Sequence, residues 1–153
     1  MTYEMMTDPA INAGGVISVA SNVAPGAVSK MVQLLNSGNQ TEAKTLMLKL
    51  EPLFSLVTVK TTEKTPFGEV VCRARNPVAY KALMSILGMP AGGCRQPLGK
   101  LTRNGVDVVL EAARKVHATA PDILQPVADF FNVDIGQRLE NPENWEGLYY
   151  ENY

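Results

Sequence analysis

Apolar positions along the chain change period several times, and each change marks an element. From Gly14 to Asn22 the residues Val16, Ile17, Val19 and Ala20 form a short, largely β-branched run between turn formers, the pattern of one buried strand. After Pro25 the spacing becomes i, i+3, i+4, i+7 through Val28, Met31, Val32 and Leu35, which predicts an amphipathic helix ending near Ser37-Gly38. Ahead of the strand, Met1 to Thr7 carries helix formers, with Tyr3, Met6 and Ala10 roughly on one side, and Asp8-Pro9 ends it. An opening in the last turns of a helix is the expectation for a piece of something larger.

Thr41 is placed to cap a second helix whose stripe is Ala43, Leu46, Met47, Leu50, Leu53, Phe54 and Val57. Pro52 lies inside that stripe, removes one internal hydrogen bond and predicts a kink or end near Glu51. From Thr58 to Arg75 the sequence turns Thr-, Lys- and Glu-rich around Pro66-Phe67-Gly68, which reads as a loop or a small hairpin. Asn76-Pro77 then gives a cap followed by proline at the first helical position, with Tyr80, Leu83, Met84 and Leu87 as the stripe and Gly88 as the stop.

Pro90, Gly92, Gly93, Pro97 and Gly99 predict an irregular connector, and the next helix starts near Gly105 with Val106, Val109, Leu110, Ala113 and Val116 or His117 inward. Pro121 to Phe131 predicts a last apolar helix carrying Ile123, Leu124, Val127, Phe130 and Phe131, with Pro126 positioned to split it. The tail from Glu140 to Tyr153 has four glutamates, no lysine or arginine, and Trp145, Tyr149, Tyr150 and Tyr153. Disordered tails are poor in aromatics, so docking on this chain or on another copy is the expectation.

The tally is one strand and about five helices. A strand apolar on both faces belongs in a parallel sheet, where neighbours on each side take up its N–H and C=O groups, and the chain offers no convincing neighbour. Buried unpaired groups cost on the order of 1 to 3 kcal/mol each. The run at Val16 to Ala20 is therefore expected to pair with a second copy, with a complementary fragment, or with a segment such as Glu69 to Cys72, and the isolated chain is not expected to persist as a monomer.

Composition narrows little. With 153 residues, 46% hydrophobic and 19% charged, the chain can bury one core, and its formal charge of -1 contains no basic patch that points to nucleic acid or an anionic membrane. Cys72 and Cys94 stand apart from each other and from His117, so reduced, unligated thiols are expected. No apolar run reaches the length of a membrane span, and Glu4 and Asp8 stand where a signal peptide is basic, which reads as cytoplasmic. No glycine-rich loop has phosphate- or dinucleotide-binding spacing and no metal-ligand set is apparent, so no cofactor is assigned.

The run Gly15-Val16-Ile17-Ser18-Val19-Ala20-Ser21-Asn22-Val23-Ala24-Pro25 closely resembles the last barrel strand and following loop of the dihydrodipicolinate synthase (4-hydroxy-tetrahydrodipicolinate synthase) family. Glu51-Pro52-Leu53 resembles that family's helix after the barrel, and Asn76-Pro77-Val78-Ala79-Tyr80-Lys81 its Asn-Pro-x-x-x-Lys helix start. Leu87-Gly88-Met89 and Arg95-Gln96-Pro97-Leu98 continue the likeness in order. It covers residues 1 to about 118; the longer stretch from Thr58 to Arg75 and residues 119–153 depart from the pattern.

The resemblance implies an α/β fold, a TIM (β/α)8 barrel of the class I pyruvate aldolase type with a C-terminal helical domain, of which this chain holds a mostly helical C-terminal fragment. The divisions are 1–38 for the barrel remnant, 39–118 for the helical domain and 119–153 for the extension. It implies Schiff-base condensation of pyruvate with aspartate semialdehyde in lysine and diaminopimelate biosynthesis. The family's Schiff-base lysine lies on the sixth strand in a Gly-x-Lys-[Glu/Asp] setting, assisted by a tyrosine and threonines from earlier strands, so no catalytic residue is assigned here. A Schiff-base lysine needs a desolvated pocket, and none of the eight lysines has that setting in sequence.

By the same likeness Ile17 matches the position whose backbone lies against pyruvate, although a strand isoleucine is also simply core. Ser21 and Asn22 precede a helix N-terminus and read either as its caps or as contacts to a carboxylate or phosphate. His117 is assigned no role. The partners expected are a homo-oligomer or an N-terminal barrel fragment, with pyruvate once the barrel is complete. A non-catalytic helical module using the family's assembly surfaces is the alternative.

Overall fold

The structure, a computed structural model, describes residues 2–152. Met1 and Tyr153, the outermost residues of the predicted N-terminal helix and aromatic tail, lie outside the described residues. The elements in order are α1 (Thr2–Thr7), α2 (Pro25–Asn36), α3 (Gln40–Phe54), the strands β1 (Thr58–Thr65) and β2 (Gly68–Arg75), then α4 (Val78–Ile86), α5 (Arg103–Thr119), α6 (Gln125–Phe131) and α7 (Ile135–Glu140). Short 3-10 turns fall at Val19–Asn22, Ser55–Val57, Pro121–Ile123 and Pro142–Asn144.

The helices follow their apolar stripes. α2 packs on α3, and α3 and α4 both pack on α5, so Met31, Leu50, Leu53, Leu83, Ile86, Val106, Val109 and Val116 meet in one core. The cap of α3 falls two residues before the expected one: the Asn39 side chain, not Thr41, accepts from the Glu42 N–H. Pro52 does not stop the helix, which runs on to Phe54 before tightening into a 3-10 turn. Gly88 ends α4 at φ 88°, where a β-carbon would stand 3.1 Å from Val133 Cγ1, so both the left-handed backbone and the space require glycine. Pro126 divides the last apolar segment as its ring demands, sitting in the first turn of α6 after the 3-10 turn at Pro121–Ile123. Phe130, expected inward, is 82% exposed and leaves Ile123, Leu124 and Val127 as the buried positions.

The strand expected at Val16 to Ala20 is not formed. Residues 14–18 run as irregular backbone at the surface, and Val19–Asn22 closes into a 3-10 turn capped by the Ser18 hydroxyl, which accepts from the Ala20 N–H at 3.3 Å. A strand is made by its partners, and no strand flanks residues 14–18: the Gly14 carbonyl accepts instead from Asn36 Nδ2 at 3.3 Å and the Ser18 carbonyl from the Ser21 N–H at 3.1 Å. The penalty expected for a buried, unpaired strand therefore does not arise in this form; what is left is an apolar side chain in water, Ile17 being fully exposed.

The one sheet among the described residues is the β1–β2 hairpin, in antiparallel register from Thr58 opposite Arg75 to Thr65 opposite Gly68. Its weak apolar period has a local cause. The face turned to the body carries Thr61 and Glu63, which meet the start of α5: Thr61 Oγ1 and Thr102 Oγ1 are 3.1 Å apart, and Asn104 Nδ2 donates to Glu63 Oε2 at 2.8 Å. Polar residues at inward positions disguise the alternation on which a strand reading depends.

The aromatic tail is docked on this chain. Trp145 is buried, Leu101 N–H donates to the Leu148 carbonyl at 3.2 Å, and Tyr150 N–H donates back to the Leu101 carbonyl at 3.0 Å. Arg103 adds a 3.0 Å hydrogen bond to the Tyr149 hydroxyl. These bonds tie the tail to the residues just before α5.

Candidate functional site

Of the site residues singled out in sequence, Asn22 lines a cavity of about 270 Å3, and Ile17 and Ser21 do not. The 3-10 turn supplies Val19 and Asn22, the start of α4 supplies Asn76, Tyr80 and Lys81, and Pro90 comes from the connector. The fold thus brings the end of the Gly15–Pro25 run against the Asn-Pro-x-x-x-Lys segment. Asn22 Nδ2 donates to the Val19 carbonyl at 3.0 Å, so it braces its own turn. Neither Ser21 nor Asn22 caps α2, whose N-cap is Ala24 with no side-chain bond; capping, one of the two readings of these residues, does not occur. Ile17 does not line this cavity and points into solvent, in neither of the settings expected for it.

The groups at this cavity are held rather than reactive. Tyr80 Oη donates to the Leu53 carbonyl at 2.6 Å, and burial pushes the phenol up to about 12, so it stays protonated at neutral pH and has its proton committed. Lys81 Nζ donates to the Gly93 carbonyl at 2.8 Å and is half-buried; the other seven lysines are exposed. A Schiff-base amine needs desolvation to lose its proton near neutrality, and no lysine here has it. Without a carboxylate, thiol or imidazole in its lining, the cavity can bind through amides and an ammonium group, and it has no general base.

A second hollow, about 730 Å3 and open, gathers His117, Asp129, Asn132 and Asp134. Its carboxylates are already engaged, Asp129 Oδ1 by Gln125 Nε2 at 2.7 Å and Asp134 Oδ1 by the Gln137 N–H at 2.8 Å. His117 Nδ1 is buried with no hydrogen-bond partner. Among the described residues no group of three His, Cys, Asp or Glu converges to hold a metal ion, and Cys72 and Cys94 are free and half-buried. No helix among the described residues is long and apolar enough to cross a membrane.

Residues 2–115 match the family model described as the Dihydrodipicolinate synthetase family. The chain belongs to that family. Within it the chain is similar to the 4-hydroxy-tetrahydrodipicolinate synthase of Methanococcus maripaludis, 35% identical over 101 residues that cover 65% of this chain and 30% of the relative. The synthase of Methanothrix thermoacetophila is 36% identical over 93 residues, covering 61% and 27%, and that of Desulforamulus reducens 28% identical over 116 residues, covering 74% and 34%. The chain therefore spans between 27% and 34% of the length of these dihydrodipicolinate synthetase relatives. No solved structure matches it. The family match ends in the last turns of α5, so α6, α7 and the docked tail lie beyond it.

Residues that sequence reasoning passed over include Arg138, whose guanidinium donates from Nε to the Ile86 carbonyl at 2.7 Å and from Nη2 to the Ser85 carbonyl at 2.9 Å, fastening α7 to the end of α4. A lone arginine in a polar stretch carries no signal of such a contact.

Proposed function

We propose that residues 2–115 supply the closing strand segment and C-terminal helical unit of a (β/α)8 barrel that condenses pyruvate with aspartate semialdehyde through a Schiff base, and that this chain alone carries no lyase activity. The observation that carries the reading is the segment around Ile17: within the stretch that has the family's likeness to a barrel strand, Gly15 and Ile17 are exposed, the isoleucine fully in solvent, where flanking strands of a barrel would cover it. The water-accessible lysines agree with a nucleophile supplied from residues outside this chain. On this reading the segment 15–18 pairs with barrel strands, and the backbone at Ile17 comes to face pyruvate. Ser21 and Asn22, neither of which caps α2, then lie at the barrel rim, where they can contact a carboxylate or phosphate.

Borohydride trapping with pyruvate tests it, on the chain alone and on the chain mixed with the N-terminal portion of a family relative. The expected result is no adduct on this chain in either case, and a lysine adduct with condensation activity only in the mixture. A stoichiometric pyruvyl adduct on any of the eight lysines overturns the proposal. The helical core and docked tail, which close without any barrel strand, favour a second reading as a non-catalytic assembly module. A mixture that stays inactive while this chain keeps a stable, pyruvate-indifferent oligomer selects that second reading.

A further inference from the structure

We infer that the free edge of β2 is a self-complementary interface, through which two copies of this chain join their hairpins into one four-stranded antiparallel sheet about a twofold axis at Val71. The register of the hairpin fixes which backbone groups face outward. Thr65 and Gly68 close a two-residue turn, so they exchange both of their backbone bonds, and bonded pairs recur at every second position along the ladder. The N–H and C=O groups of Glu69, Val71, Arg73 and Arg75 therefore point away from β1. Among the described residues no other backbone group bonds to them.

The side chains on the outer face suit a second copy. Glu69, Val71, Arg73 and Arg75 share that face with Lys60, Thr62 and Lys64 of β1, so one carboxylate stands among four cations. Arg73 and Arg75 have no ion pair among the described residues. When two β2 strands run antiparallel about Val71, residue 69 of each falls opposite residue 73 of the other. Two Glu69–Arg73 pairs then flank a Val71–Val71 contact, and all three positions present outward backbone groups, giving six main-chain hydrogen bonds. Arg75 falls opposite Phe67, 98% exposed at the hairpin turn, where a guanidinium can lie over the ring. Val70 and Val71 are 45% and 53% exposed, adjacent apolar residues on an open edge. A second copy, with the same strand reversed, supplies every complement. The contact is isologous, so its twofold axis closes it at two copies.

Sedimentation equilibrium of the full chain at micromolar concentration is the test. The wild-type chain is expected to be dimeric. Glu69→Arg and Arg73→Glu are each expected to weaken association about tenfold or more, and the double charge reversal to restore it. Arg73→Glu places an opposite charge beside its own cross-strand neighbour Lys60, so dissociation in that variant is not a sign of a broken hairpin. Val71→Cys in a background of Cys72→Ser and Cys94→Ser is expected to form an intermolecular disulfide. A monomeric wild-type chain, a dimer indifferent to the single reversals, or a double variant that stays monomeric overturns the proposal.

Discussion

Tyr80 holds the end of α3 from the far side of the core: its hydroxyl donates to the Leu53 carbonyl at 2.6 Å, one residue beyond Pro52. Proline has taken an N–H out of this last turn, and the terminal carbonyls of any helix lack internal donors. A buried phenol from α4 satisfies one of them where water has little access.

Tyr80→Phe is expected to cost about 1 kcal/mol, because the buried Leu53 carbonyl loses the phenol donor and keeps only the Ser55 N–H. The pH dependence has a definite sign. Burial raises the phenol from 10.0 to about 12, so between those values the unfolded chain releases a proton that the folded chain retains, and stability falls with rising pH. Urea unfolding at pH 8 and pH 11 is expected to give a larger wild-type advantage over Tyr80→Phe at pH 8. An equal difference at both values refutes the assignment.

Gly99 marks where the tail is seated. It adopts φ 71°, and the space a β-carbon would take is filled by the Tyr150 hydroxyl. Gly99→Ala therefore meets both backbone strain, on the order of 1 kcal/mol, and a clash with the tail. Hydrogen exchange is expected to accelerate at the Leu101 and Tyr150 amides, which bond across this contact, while the α5 amides keep their protection.

Thr102 has two tasks, both carried by its one hydroxyl. Its hydroxyl accepts from the Gly105 N–H at 3.0 Å as the cap of α5 and lies against Thr61 Oγ1 of β1. Thr102→Ala is expected to lower stability by about 1 to 2 kcal/mol, with Thr102→Ser recovering most of it. Chemical denaturation of the two variants checks this.

The helices were legible because each carries its own reason to form: the stripe from Val106 to Val116, the stop at Gly88 and the break at Pro126 are written within a few residues of where they act. The tail was legible through Trp145, an aromatic among acidic residues. The segment around Ile17 was not, because a β-branched run records what a strand would prefer and says nothing of whether neighbours are present to pair with it. The hairpin was half-legible, since Thr61 and Glu63 turn inward to partners at Thr102 and Asn104 that lie some forty positions further along. The cavity at Asn22 and Lys81 had the same origin: each motif was readable, and their meeting depended on how α4 packs.

Arg138 offers the sharpest test of how the extension is held. Its two bonds run to the Ser85 and Ile86 carbonyls at the end of α4; Ser85 also accepts from the Gly88 N–H at 3.0 Å, whereas Ile86 has no backbone donor among the described residues. A guanidinium can serve both at once because its donors form a rigid fork, and its positive charge suits the negative end of the helix dipole. Arg138→Ala removes both donors and is expected to cost about 2 kcal/mol. Arg138→Lys keeps the charge but has no fork, so an intermediate loss is expected. The effect should be local as well as global, because Leu139 beside it is buried and α7 packs on α5. Limited proteolysis is the discriminating measurement: cleavage between Asn132 and Asn144 should rise in Arg138→Ala before global unfolding begins. If the variant unfolds only as a unit, with no early cleavage there, the extension is an integral part of the core and the two bonds are not what fastens it.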